Sequence, residues 1–151
     1  MKESVIGTRI ITQIGFLVRD AEATAKAYAE FFGVEYSTGA TPAPEIAKMQ
    51  YLGQPSNGSC KQGFVDLGDV QMEFIQPDDQ PSLWRDDLEK NGEGLHHIAF
   101  WVKDMEGHIQ KLKELDYPML QRGGWPGGRY AYFDAQDKLK LRLELLEKVD
   151  E

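Results

Sequence analysis

Two glutamates lie where a carboxylate is expensive to keep. Glu73 sits in Met72-Glu73-Phe74-Ile75 and Glu144 in Leu143-Glu144-Leu145-Leu146, each flanked by apolar neighbours. A carboxylate taken out of water there must be paired, hydrogen-bonded or bound to a cation. Taken singly, each reads as an ordinary ion pair at a wet sheet face. Two further residues change that reading. Thr12-Gln13-Ile14-Gly15-Phe16-Leu17-Val18-Arg19-Asp20 aligns with His96-His97-Ile98-Ala99-Phe100-Trp101-Val102-Lys103-Asp104, which places Gln13 on His97. Side chains alternate along a strand. Ile14, Phe16 and Val18 therefore share one face and Gln13, Gly15 and Leu17 the other; His97, Ala99 and Trp101 likewise oppose Ile98, Phe100 and Val102. Glu73 opposes Met72 and Phe74, and Glu144 opposes Leu141, Leu143 and Leu145. Gln13, Glu73, His97 and Glu144 thus fall on the less apolar faces of four strands at matched places in a repeat. Together they make an oxygen-and-nitrogen cage for a divalent metal. Without a sulfur ligand the set suits Zn, Ni, Co, Mn, Fe or Mg.

The elements that must position these residues are duplicated. Each aligned strand ends in an Asp suited to capping a helix. The first helix is predicted from about Ala21 to Phe32, with Ala25, Tyr28 and Phe32 on one face and Gly33 as its stop. The second is predicted from about Met105 to Leu115. Gly63–Asp69 leads into the Glu73 strand, and Tyr130–Asp137 into the Glu144 strand. The order in each half is strand, helix, several strands, and neither half covers its own sheet alone. Residues 10–75 form the first module and 94–147 the second, within one domain spanning 1–151. A linker arm at 76–93 carries a short helix over Ser82–Lys90, and Pro42 to Gln50 suggests another.

The remaining composition narrows the classes. The chain has 151 residues, and 25 Asp+Glu against 17 Lys+Arg give a net charge of −8. That acid excess argues against a nucleic-acid or anionic-membrane partner. A single cysteine excludes an internal disulfide framework, and no apolar run suits a membrane span, so a cytoplasmic setting is expected. Cys60 reads as a loop thiol. His96 is expected to point away from His97 as a packed or hydrogen-bonded residue, and His108 reads as structural. Gly123–Gly128 lacks the strand-to-helix context of a phosphate cradle. It reads either as a mobile loop that brings Trp125 to a ligand or as a plain turn. Trp101 and Tyr132 either line a pocket or simply pack. Arg122, Arg129 and Lys61 either meet substrate phosphate or carboxylate or remain exposed surface charge.

The paired Gln-Ile-Gly-Phe and His-Ile-Ala-Phe strands, the two Glu strands and the duplicated order resemble the vicinal oxygen chelate superfamily. That group includes glyoxalase I and methylmalonyl-CoA epimerase. The resemblance runs from about Ile10 to Glu147, and Leu88–Phe100 is most similar to the epimerase branch. It implies an α+β fold of two tandem βαβββ modules forming a cupped mixed sheet around one divalent metal. The family's metal ligands fall on Gln13, Glu73, His97 and Glu144. Gln, Glu, His, Glu is similar to the set of some glyoxalase I enzymes, whereas epimerases more often carry His first and Gln second. Against glyoxalase I, its glutathione-gripping arginine falls on Leu17 and a contacting asparagine on Pro77. Against the epimerase, its second acid/base glutamate belongs near Ser56, where there is none.

The chemistry these enzymes share is proton removal next to a carbonyl whose oxygen a metal polarises. The resemblance implies Glu144 as the base, with Glu73 second. It points to an epimerase or isomerase resembling methylmalonyl-CoA epimerase, acting on a carbonyl substrate such as an acyl-CoA. A glyoxalase I-like lactoylglutathione lyase is the enzymatic alternative. A non-catalytic drug- or antibiotic-binding protein of the same fold is the other. Sheet edges and the arm around Trp84 suggest a homodimer.

Overall fold

The computed structural model describes residues 2–150. Its first strand, β1 (Gln13–Leu17), meets Asp20, whose carboxylate accepts from the Ala23 N–H and starts α1 (Ala21–Phe32). Gly33 ends that helix in the left-handed conformation at φ 67°. Short elements follow: β2 (Ser37–Ala40), α2 (Pro44–Ala47), β3 (Gln50–Tyr51) and β4 (Gln54–Pro55). The helix expected over Pro42–Gln50 is thus one turn, ended where Lys48 turns left-handed at φ 44°. The long hairpin β5 (Cys60–Leu67) and β6 (Val70–Pro77) leads into α3 (Leu83–Asn91). The second half then runs β7 (Gly94–Trp101), α4 (Met105–Glu114), β8 (Met119–Trp125), β9 (Gly128–Ala135), α5 (Gln136–Leu139) and β10 (Leu141–Lys148). Asp104 caps α4 by accepting from the Gly107 N–H.

All ten strands join one curled mixed sheet in the order β2-β5-β6-β1-β7-β10-β9-β8-β3-β4. The fold is α+β, as the duplicated pattern implied. The four central strands, β6, β1, β7 and β10, are the ones that carry Glu73, Gln13, His97 and Glu144. β1 lies parallel to β6 and antiparallel to β7, and β10 lies parallel to β7.

Helices cover the aliphatic faces. Ala21 and Ala25 of α1 pack on Val18, Val65 and Phe74. Gly63 allows this close approach, since a Cβ there would meet the Ala21 carbonyl and the Ala25 methyl. Met105 and Leu112 of α4 pack on Phe100, Phe133, Leu143 and Leu145. A third cluster joins Leu83, Trp84 and Leu88 of α3 to Leu17, Ile75, Cys60 and Tyr132. The arm between the halves is therefore folded into the core. Burying side chains of this size contributes about 1.5–3 kcal/mol each, which is what holds the four central strands in register.

One expectation is corrected here. Cys60 is no loop thiol: it begins β5, and only 4% of its surface is exposed. Of the two readings of residues 123–128, the turn is the one found: Gly123–Trp125 close β8, Pro126 and Gly127 make the turn, with Gly127 at φ 93°, and Gly128 opens the paired strand β9.

Candidate metal centre and its cavity

Register brings the four candidate residues together within one chain. Gly15 pairs with Glu73 on one side and with His97 on the other, while Glu144 pairs with Ala99. A Cβ at Gly15 would overlap the His97 imidazole, so the ring occupies the room that this glycine leaves. His97 Nε2 lies 3.3 Å from both Glu73 Oε1 and Glu144 Oε1 and 3.4 Å from Gln13 Oε1. Gln13 Oε1 lies 3.1 Å from each of those carboxylate oxygens. Four donors so spaced surround a point roughly 2 Å from each, the length of a bond from Zn to nitrogen or oxygen.

The donor set fits a cation. Glu73 and Glu144 bring two buried carboxylates to one point, and with Gln13 Oε1 turned inward a third oxygen joins them while Nε2–H donates to Gln71 Oε1 at 2.9 Å. Turned over, the amide instead donates to both carboxylates, the orientation its neighbours favour without an ion. Glu73, His97 and Glu144 are all buried and could hold a metal ion, with Gln13 as a fourth donor.

Outer partners fix each donor. Gln62 donates Nε2–H to Glu73 Oε2 at 2.7 Å. Tyr132, opposite Glu144 in register, accepts from Trp84 Nε1–H at 3.1 Å. His97 Nδ1 lies 3.0 Å from His96 Nδ1. Burial opposes a charge on His97, but Glu144 and Glu73 outweigh it and hold the imidazole up at about 9. Burial pushes the Glu144 carboxyl up, against the pull of His97.

His96 does not point away from His97. The β1–β7 register shifts between Gly15 and Phe16, so Gly15 faces His97, Phe16 faces Leu95, and His96 is the extra residue. This bulge breaks the alternation and brings the two imidazoles edge to face, with ring centres 5.2 Å apart. His96 Nε2 is 2.9 Å from Asp87 Oδ2, and Arg142 grips both Asp87 oxygens at 3.0 Å. Burial brings His96 down to about 4, so it is neutral near pH 7. Burial alone would raise Asp87, yet hydrogen bonds from His96 and Arg142 hold it at about 2.

Above the donors opens a cavity of about 410 Å³, within the usual range of small-molecule sites. Gln13, Glu73 and Glu144 reach its wall, while His97 stays fully buried beneath. Phe64, Trp84, Trp101, Trp125, Tyr130 and Tyr132 supply most of the aromatic lining. Trp101 and Trp125 stand edge to face at one side, their ring centres 6.5 Å apart. Arg122, Arg129 and Lys61 lie outside this lining; Arg122 pairs with Glu106, and Arg129 with Glu106 and Glu147.

Sequence reasoning missed Gln62, Gln71, Asp87 and Arg142. Gln62 carried a partial signal, two residues from Phe64 and hence on the same strand face. The others become visible only with the pairing of distant strands.

The family model of the Glyoxalase/Bleomycin resistance protein/Dioxygenase superfamily matches residues 12–133, and the chain belongs to that superfamily. Over 87 residues it is 31% identical to the uncharacterized protein YqjC of Bacillus subtilis (strain 168), covering 56% of this chain and 62% of that one. The matched stretch is therefore under two thirds of that curated relative's length. The hypothetical protein BH1468 from Bacillus halodurans C-125 is similar in fold at TM-score 0.68 and 23% identity, covering 94% of this chain and 96% of that one. A methylmalonyl-CoA epimerase in complex with methylmalonyl-CoA and NH4+ gives TM-score 0.64 at 23% identity, covering 92% and 94%. Identities this low speak to fold. Among the described residues, no helix is long and apolar enough to cross a membrane.

Proposed function

We propose that this protein is a metal-dependent enzyme that removes a proton from carbon next to a carbonyl, most like an epimerase or isomerase of the methylmalonyl-CoA type. The observation that carries this reading is the cluster of Gln13 Oε1, Glu73 Oε1, His97 Nε2 and Glu144 Oε1 at the base of an aromatic cavity. Those four residues would hold one divalent ion, of the Zn, Ni, Co, Mn, Fe or Mg class. Bound there, it supplies Lewis-acid polarisation of a substrate carbonyl.

The chain's own groups do the rest. Glu144 is the base: it reaches the cavity wall, and burial raises its proton affinity towards that of a working general base. Glu73 is the second candidate, held at its outer oxygen by Gln62. The aromatic walls exclude water and orient the acyl group. No Lys or Arg occurs among the described residues lining the cavity. An acyl-CoA would therefore place only its acyl end inside, with its phosphates outside.

Glyoxalase I-like chemistry is the second reading, favoured by the Gln, Glu, His, Glu order. Leu17 speaks against it, because this residue is 3% exposed and packed in the α3 cluster, where no glutathione could be gripped. A non-catalytic binding role has no use for the complete donor set. We further read the chain as one domain of two modules, 10–75 and 94–147, joined by the arm at 76–93, and as a cytoplasmic homodimer. Sedimentation showing only monomer would remove the dimer.

The deciding assay follows solvent deuterium entering methylmalonyl-CoA, beside lactoylglutathione formation from the methylglyoxal–glutathione hemithioacetal. Metal-dependent wash-in without lactoylglutathione is expected. Lactoylglutathione formation alone would transfer the assignment to the lyase, and neither reaction would remove both substrates.

A further inference from the structure

We propose that Arg142, Asp87 and His96 form a relay that keeps a proton on His97 Nδ1 and turns its Nε2 to the donor cluster. For the cluster's role as a metal site, this rests on the reading above; the Nδ1 proton itself does not. The relay begins at the fork of Arg142. Its Nε–H and Nη2–H donate to Asp87 Oδ2 and Oδ1 at 3.0 Å each, and its Nη1–H donates to Asp134 at 2.7 Å. Arginine stays protonated, so Asp87 is a carboxylate and can only accept. Whatever nitrogen meets Asp87 Oδ2 must therefore carry hydrogen, and that nitrogen is His96 Nε2 at 2.9 Å. The Nδ1 atoms of His96 and His97 lie 3.0 Å apart and share one hydrogen. On the His96 side Asp87 is already matched by Arg142, whereas Glu73 and Glu144 both stand 3.3 Å from His97 Nε2. The shared hydrogen therefore belongs to the His97 ring, whose Nδ1–H donates to His96 Nδ1. The far nitrogen, Nε2, is the one left facing Gln13, Glu73 and Glu144.

Three elements contribute, and each is placed by a separate device. Asp87 comes from α3, buried at 5% exposure; Arg142 comes from β10, opposite His97 in register; His96 is the residue that the bulge inserts. Histidines that bind metals commonly pass their second N–H to a carboxylate or carbonyl, which orients the ring and raises its basicity. Here a second imidazole stands between histidine and carboxylate. These three are positioning residues, since none lines the cavity.

The test uses full-length wild type, His96→Leu and His96→Asn. Asparagine retains an acceptor oxygen near the place of His96 Nδ1, and leucine retains bulk without it. Two readouts are taken: long-range nitrogen–proton NMR of the histidine rings, and Zn2+ affinity by competition with a chelator. Wild type is expected to show a slowly exchanging proton on His97 Nδ1, with or without Zn2+. His96→Leu should lose that signal and bind Zn2+ about ten- to a hundredfold more weakly, the usual range for an outer partner. His96→Asn should recover most of both. A folded His96→Leu that keeps the His97 Nδ1 proton and wild-type affinity would overturn the relay. So would a wild type whose His97 carries its proton on Nε2 alone. Should wild type take up no Zn2+, the metal reading falls, while the Nδ1 signal and its loss in His96→Leu still decide the relay. Should His96→Leu not fold, the wild-type Nδ1 proton together with His96→Asn decides it.

Discussion

At the scale of single residues, the site depends on atoms present and on one side chain that is absent. Glu144→Gln removes an anionic donor but keeps its shape and leaves Glu73 beside His97, so the protein should stay folded. Its affinity for Zn2+ should fall by more than about a hundredfold, beyond the loss typical of outer partners. Unchanged metal content and turnover would remove Glu144 from the site. Gly15→Ala tests the absent side chain: its methyl would overlap the His97 ring. The overpacked variant should lose about 1–3 kcal/mol in denaturant unfolding and lose Zn2+ binding with it; a neutral outcome would mean that the ring need not sit over Gly15. Gln13, Glu73, His97 and Glu144 were legible in the sequence because each sits against the grain of an apolar strand, and because the repeat sets Gln13 on His97. His96 was not, since its orientation depends on a bulge that alternation cannot foresee.

At the scale of elements, α3 is the piece whose importance was hardest to read. A short helix over Ser82–Lys90 was expected, and it is found over Leu83–Asn91, capped by Ser82 and ended at Gly92. Nothing local says that Asp87 turns inward to Arg142 and His96. That pairing gives the helix a pH dependence. Asp87 is held at about 2 in the fold, against about 3.9 in an unfolded chain. A depressed carboxyl stabilises the fold above the unfolded value, and this contribution disappears as pH falls towards the folded one. It is worth about 2 kcal/mol, lost between roughly pH 4 and pH 2. Asp87→Asn should therefore be less stable than wild type at neutral pH, and the gap should close as urea midpoints are followed down to pH 2. A gap constant with pH would show that Asp87 acts by packing alone. The helices over Ala21–Phe32 and Met105–Glu114 were plain from Asp caps and apolar spacing. Cys60 was misread because polar neighbours before it hid the start of a long strand.

At the scale of the whole molecule, the net charge of −8 conceals an arrangement. Most acids face solvent, while two stand on central strands beneath a cavity whose described lining has no basic residue. The fold class was legible because duplication displayed the same strand-and-helix order twice. The strand order was not, since the halves join through β1 and β7 by contacts about 84 residues apart. The cavity walls are drawn from β2, β5, β8, β9 and β10, and no local pattern encodes their meeting. What unites the levels is the proposed metal site, and its most direct test is metal content. Purified protein should be loaded separately with Zn2+, Co2+ or Ni2+, freed of excess and assayed by elemental analysis, beside Glu144→Gln and a Glu73→Gln/Glu144→Gln double variant. Wild type should carry about one ion per chain, as four converging nitrogen and oxygen donors require, with little retained by the double variant. Less than about a tenth of an ion per chain in wild type for every metal offered, or equal loading of the double variant, would contradict it.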